Sequence, residues 1–332
     1  MKTTDIYTTK DLETFKKLIA KEIPKIFSKG EKIAIKLHMG ELGNKNHIKP
    51  EFVKLIVDVL KNVGANPILF DSPIAYNSPR RFCKGYLLVA KKKGFTEKKV
   101  GCKVVISDEF ITEKTKSMKY EVCKELVEAD GVLTLSHVKG HMCSGFGGAI
   151  KNLGMGALTK KTKREVHNNS KPEYVGGCTL CGLCAKVCPT KHIKYQDEKP
   201  LFKRTWCCGC STCIHVCPNN AIKPKVAIFD FLLSEGAWCA YKNFKKSFFI
   251  NSITNVSKFC DCSPIGGKII AKDAGFVLGK TAVAVDKASF DIILEQEGKD
   301  VFKETHHKSP LVHIREAAKL GLGSLKYNKK TF

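Results

Sequence analysis

Residues 32–71, KIAIKLHMGELGNKNHIKPEFVKLIVDVLKNVGANPILFD, decide the fold class. KIAIKLHM at 32–39 is a mostly apolar run of strand length. Pro50 then opens PEFVKLIVDVLKNVG, whose apolar residues recur at helical spacing and whose Gly64 stands where a helix C-cap belongs. NPILFD at 66–71 is a second strand, so the unit is strand, helix, strand.

The same alternation runs outward from that unit. A helix is predicted from about Pro79 to Lys93, a strand at 103–108 (KVVISD), a helix around Tyr120 to Glu128 and a strand at 131–138 (GVLTLSHV). The glycine-rich GFGGAIKNLGMGAL at 145–158 reads as a loop entering a helix. Beyond residue 225 the pattern resumes with a helix in AIFDFLLSEGAWCAY, strands in KSFFINSITNV and AGFVLG, and a helix in AVDKASFDIILEQEG. Such alternation argues for an α/β fold, a mostly parallel sheet with helices on both faces. A chain of 332 residues with 43% hydrophobic content can bury a large core. The length prior of roughly 100 to 200 residues per domain suggests two units.

The second unit is legible as a break in the pattern. Residues 171–224 are poor in periodic elements yet hold more than half of the 16 cysteines. They read as a small α+β ferredoxin-like module inserted into one α/β domain made of 1–170 and 225–332. The module repeats internally, GGCTLCGLCAKVCPTKHI aligning with WCCGCSTCIHVCPNNAI. Each half is C-x2-C-x2-C-x3-C-P, the run in which three cysteines take one four-iron, four-sulfur cluster and the fourth reaches across to the other. One cluster would take Cys178, Cys181, Cys184 and Cys217, the other Cys207, Cys210, Cys213 and Cys188. Structural zinc sites use widely separated C-x2-C pairs, a poorer fit to this spacing. Cys208 is a surplus thiol one residue out of step with the run.

These residues resemble a two-cluster ferredoxin domain over about fifty residues. Elsewhere KLHMGELGNKNHIKPEFVK, LFDSPIAYNSPRRF, LSHVKGHMCSGFGGAIKNLGMGAL, KFCDCSP, AVAVDKAS and LGLGSLKY resemble the archaeal and bacterial iron-sulfur centre proteins of the domain of unknown function 362. That resemblance spans nearly the whole chain. It implies the architecture and the clusters, and it implies no reaction.

A second site is expected where the strands end, since open α/β sheets bind ligands at the carboxyl edge of their strands. His38 and Glu41 follow the first strand, Asp71 ends the second, and His137 and His141 follow GVLTLS. These five are the candidate catalytic residues. The glycines at 145, 147 and 148 would present backbone N–H groups and a helix N-terminus to the same crevice. Cys260 and Cys262, in FCDCSP, are candidate ligands for a third metal or cluster, because two thiolates one residue apart can chelate a soft metal while their mutual disulfide would be strained. Cys83, Cys102, Cys123 and Cys239 read as structural thiols, and Asp286 as a cap or buried salt link as readily as a catalytic acid.

Lys and Arg number 57 against 32 Asp and Glu, a net charge of +25. The lysines are dispersed, and no base-reading motif accompanies them, so nucleic acid is not indicated; an acidic redox partner protein fits that field better. MKTTDIYTTKD carries no signal-peptide core and no apolar run reaches membrane-spanning length, which predicts a cytoplasmic protein with reduced thiols and no membrane association. No G-x-G-x-x-G follows the first strand, so a dinucleotide is not indicated; flavin stays open, since its binding often leaves no short motif. The leading expectation is an iron-sulfur oxidoreductase, moving electrons between two 4Fe-4S clusters and a small-molecule substrate or metal site in the crevice. The alternatives are a simple electron carrier and a basic RNA-associated protein with structural clusters.

Overall fold

The computed structural model describes residues 3–332. Its centre is an eight-stranded sheet built from β1 (Thr4–Thr9), β2 (Lys32–Lys36), β3 (Asn66–Asp71), β4 (Lys103–Ile106), β5 (Gly131–His137), β6 (Ser247–Ile253), β7 (Gly275–Gly279) and β8 (Tyr327–Thr331). The spatial order is β8-β1-β7-β6-β5-β2-β3-β4, and only β7 runs antiparallel to its neighbours. The α/β class with a mostly parallel sheet is therefore as expected. Strands from before residue 171 and after residue 225 share this sheet, β5 lying directly beside β6.

Alternation along each strand divides the core into two layers. Ile33, Ile35, Leu133 and Ile250 point to one face, where they meet α1 (Leu12–Glu22), α2 (Pro50–Asn62) and α3 (Cys83–Lys92). Ala34, Val132 and Phe249 point to the other, beneath α4 (Ala149–Gly154), α5 (Phe229–Tyr241) and α6 (Ala282–Glu297). With both faces covered, the inner strands are apolar almost throughout, which is why they stand out as runs. Each fully buried Leu, Ile or Phe adds about 1.5–3 kcal/mol.

Two elements differ from the sequence expectation. Residues from Tyr120 do not begin a helix: Lys119–Cys123 pairs with Phe110–Lys114 as a hairpin, and only Lys124–Val127 makes a helical turn. Thr115 closes the hairpin by donating its backbone N–H to the Met118 carbonyl at 3.1 Å. Tyr120 is buried and donates its hydroxyl to Glu235 on α5 at 2.9 Å, so a tertiary contact decides the conformation. The outer strands β1 and β8, unexpected from their polar sequences, pair with each other in parallel.

The glycine-rich segment does enter a helix, α4, but its first amides are already answered. Asp286, fully buried on α6, accepts the N–H of Ala149 at 2.7 Å and of Ile150 at 2.9 Å, and Asn251 adds a third donor at 2.8 Å. This capping role takes the place of the expected anion-binding helix terminus. A side chain on Gly148 would collide with the same carboxylate. Burial raises the Asp286 carboxyl to about 6, against the pull of its donors. Replacing Asp286 with Ala would strand three buried donors, and a loss of about 3 kcal/mol is expected in urea unfolding; a loss below about 1 kcal/mol would show that α4 is held by other means.

Candidate functional site

Within the module, Leu183–Lys186 and Thr212–His215 are single helical turns separated by the 29 residues that also separate Cys178 from Cys207. The backbone repeats with them. Leu180, Gly182 and Lys191 take left-handed conformations, and so do Gly209, Ser211 and Asn220 at the same spacing. Each non-glycine residue there costs roughly 1–2 kcal/mol, a strain kept because it turns the loops around their cysteines. Leu180 N–H points at Cys178 Sγ and Gly209 N–H at Cys207 Sγ, both at 3.4 Å, and Ala221 N–H at Cys217 Sγ at 3.3 Å.

Cys178, Cys181, Cys184 and Cys217 line one small pocket, and Cys188, Cys207, Cys210 and Cys213 line another, with Cys208 beside them. The four motif cysteines of each set, three from one loop and one from the other half, thus converge on one space. Burial raises the Cys207 and Cys213 thiols above their ordinary range, so a cationic centre would be needed to hold them as thiolates. That donor set fits a metal or iron-sulfur centre. The Pro172–Tyr174 and Ile222–Pro224 strands pair antiparallel, bringing the two ends of the module together.

The main cleft, about 150 Å³, opens at the carboxyl ends of β2, β3 and β5, with the loop that follows β6 closing one side. His38, Asp71, His137 and His141 line it, with Cys260 and Cys262. Glu41 does not. Its carboxylate turns aside to accept from Ser78 Oγ at 2.8 Å and lies 3.8 Å from Arg80, while its N–H donates to the Asp261 carbonyl.

The cleft residues carry different burdens. Asp71 holds Lys36 at 2.9 Å and accepts from Tyr86 and the Ser72 N–H. Burial opposes its ionisation, but Lys36, Lys163 and the Tyr86 hydroxyl hold its carboxyl at about 2. Both ring nitrogens of His137 face acceptors, Asp261 at 3.0 Å and the Thr254 carbonyl at 2.5 Å, leaving neither open to a metal or substrate. His38 meets Arg80 at 2.7 Å; burial and that guanidinium hold its ring neutral, well below the histidine range.

His141 is different. Its Nδ1 accepts the backbone N–H groups of Cys143 and Ser144, both at 3.3 Å, with Ser144 Oγ at 3.0 Å, and its Nε2 has no hydrogen-bond partner among the described residues. A ring nitrogen of His141 and the sulfurs of Cys260 and Cys262 lie within 4.8 Å of one another. The two sulfurs are themselves in disulfide contact, contrary to the expectation from their spacing. What permits it is the loop's anchor: Asp261 between them is buried and bound to Lys139 at 2.8 Å and to His137.

Sequence reasoning missed the cleft's lysines. Lys36, Lys139, Lys151 and Lys163 all line it, as does His167. For Lys36, Lys139 and Lys151 the signal was a lysine inside an apolar or glycine-rich run, IAIKL, HVKGH and GAIKN, while Lys163, in the basic TKKTKRE, gave none. Burial lowers both Lys151 and Lys163 to about 8.

Fold and site together define a mostly parallel α/β protein with a cysteine-rich module and a ligand-sized cleft at the carboxyl edge of its sheet. The chain belongs to the family described as domain of unknown function 362, which matches residues 33–291. No curated protein matches it. Among solved structures it is similar to a Thermotoga maritima protein, at 10% identity and a TM-score of 0.45, over 86% of this chain and 59% of that one. It is also similar to the lactate racemase apoprotein of Thermoanaerobacterium thermosaccharolyticum, at 16% identity and a TM-score of 0.36, over 75% and 50%. The chain thus spans less than two thirds of either. No helix among the described residues is long and apolar enough to cross a membrane.

Because the Asp71 pKa falls from 3.8 to about 2 on folding, its stabilisation is full above about pH 4 and disappears as pH falls through about 2. Acid unfolding followed by circular dichroism should show this loss in the native chain and a flatter profile for Asp71→Asn; identical profiles would refute the assignment.

Proposed function

We propose that the chain is an iron-sulfur oxidoreductase, with two 4Fe-4S clusters in the module and a substrate or third metal site in the cleft. Cys178, Cys181, Cys184 and Cys217 would hold one cluster, and Cys188, Cys207, Cys210 and Cys213 the other. The clusters would each supply one-electron storage. His141, Cys260 and Cys262, with the thiols reduced, are the candidate ligands of the third site. The same reading divides the chain into 1–170 and 225–332 as one α/β domain and 171–224 as an insertion.

One observation carries the reading: the second cysteine set abuts the cleft. The carbonyl of Cys208, between Cys207 and Cys210, accepts from His167 Nδ1 at 2.8 Å, and His167 lines the cleft. The Cys208 thiol also touches Cys143, two residues past His141. A simple carrier needs no such junction, nor such a cleft. Beside it, the buried Lys308 ammonium contacts the Cys143 and Cys210 carbonyls and Asp230.

Anaerobically purified protein should contain eight iron and eight acid-labile sulfide per chain; about two zinc and no sulfide would sink the proposal. Cys188→Ala should damage the cluster of Cys207, Cys210 and Cys213 in electron paramagnetic resonance, and damage confined to the other would overturn the exchanged pairing. For the third site, Cys260→Ser with Cys262→Ser should remove metal beyond the eight irons and spare both clusters. Full metal content and unchanged activity in that double variant would eliminate it.

A further inference from the structure

The cleft holds more positive charge than its own acids answer. Four lysines line it against two carboxylates. Lys36 is paired with Asp71 at 2.9 Å and Lys139 with Asp261 at 2.8 Å. Lys163 spends its donors on the Ser72 hydroxyl at 2.7 Å, the Ser72 carbonyl at 3.3 Å and the Pro73 carbonyl at 2.6 Å, and makes no direct ion pair among the described residues, with Asp71 acting on it only at longer range. Lys151 has neither an ion pair nor a hydrogen bond among the described residues. The histidines nearby add nothing to the excess, since burial holds His38, His141 and His167 on the neutral side of their ordinary range.

The free ammonium is also held in place. Lys151 stands on α4, whose first amides are clamped by Asp286 and whose next residue, Asn152, binds across two strands. Asn152 Nδ2 donates to the Leu135 carbonyl at 2.9 Å and to Ser136 Oγ at 3.0 Å, and its Oδ1 accepts from Lys36 at 2.8 Å. Gly147 leaves space for the Lys151 stem, because a Cβ there would stand 3.1 Å from Lys151 Cδ. A partly buried cation without a partner is partly desolvated and left uncompensated, and a ligand of opposite charge supplies the missing interaction. Leu37, Ile74 and Met155 add apolar surface to the lining, and about 150 Å³ has room for a small organic body.

We propose that the cleft binds an organic anion, its carboxylate or phosphate head paired with Lys151 Nζ and its apolar body against Leu37, Ile74 and Met155. This names the substrate class of the cleft described above. It rests on the cleft being a substrate site, and it stands whether or not the module carries clusters.

Isothermal titration of the anaerobic full-length protein with benzoate, phenyl phosphate, inorganic phosphate and benzylamine tests it. Benzoate or phenyl phosphate should bind one to one, at least tenfold more tightly than inorganic phosphate, with no binding of benzylamine; the better of the two identifies the head group. Lys151→Met should weaken that binding tenfold or more and Lys151→Arg should retain most of it, with circular dichroism and iron content unchanged. Should Lys151→Met fail to fold, acetylation of the native protein mapped by mass spectrometry replaces it: the bound anion should protect Lys151 and not surface lysines. Absence of binding by both organic anions, native-like binding in Lys151→Met, equal binding of benzylamine, or no protection of Lys151 would each overturn the proposal. Iron and sulfide counts fail or succeed independently, so loss of the redox reading would be told apart from loss of this one.

Discussion

The ion pair between Lys36 and Asp71, sealed from solvent at 2.9 Å, joins two neighbouring strands at the edge where the chain's polar groups gather. An isolated charge at that depth would be prohibitive, and the pair itself is tolerable only because its remaining donors and acceptors are used. Asn152 takes a second Lys36 proton, and Tyr86 and the Ser72 amide take the spare capacity of Asp71. Those three partners lie on α4, on α3 and in the loop after β3, so elements from both faces of the sheet are tied to one charge pair. The cleft's shape follows from this: α4 cannot shift without leaving Lys36 or the Leu135 carbonyl unanswered.

The repeated left-handed residues of the module express a different constraint. In the main domain, Asn255 and His307 alone among the described non-glycine residues take positive φ. The module has only a small cluster around Cys184, Cys213 and Ile222, too little to define loops that depart from ordinary conformations. Yet Leu180, Lys191, Ser211 and Asn220 all sit at positive φ, in positions that recur with the repeat. A backbone strained alike in both halves has a common cause, and convergence of four sulfurs on each cavity is the one shared feature that supplies it.

Much of the fold was legible because the inner strands are apolar on both sides and end in recognisable turns. Asn66–Asp71 coincides with its sequence reading, and the helix from Pro50 stops two residues before Gly64, which takes the left-handed conformation expected of it. Tyr120 was misread because its preference for a strand is set by Glu235, more than a hundred residues away. The cleft was legible where a polar residue ends a strand, as with Asp71 and His137. It was illegible where function depends on what a charge lacks. Lys36 and Lys151 look alike in sequence, and only the placement of Asp71 distinguishes a paired cation from an unpaired one.

Glu41 and Asp261 show how the same logic orders the C-x-C loop. Glu41 was read as facing the crevice, yet its side chain serves Arg80 and Ser78, and only its backbone N–H reaches the loop, at the Asp261 carbonyl. Asp261 then turns its carboxylate inward, where burial opposes its charge but His137 and Lys139 hold it ionised well below the usual carboxylate range. With the middle residue fixed through backbone and side chain alike, Cys260 and Cys262 have little freedom beyond their own side-chain torsions. They meet each other, and His141 stands beside them with one ring nitrogen unspent.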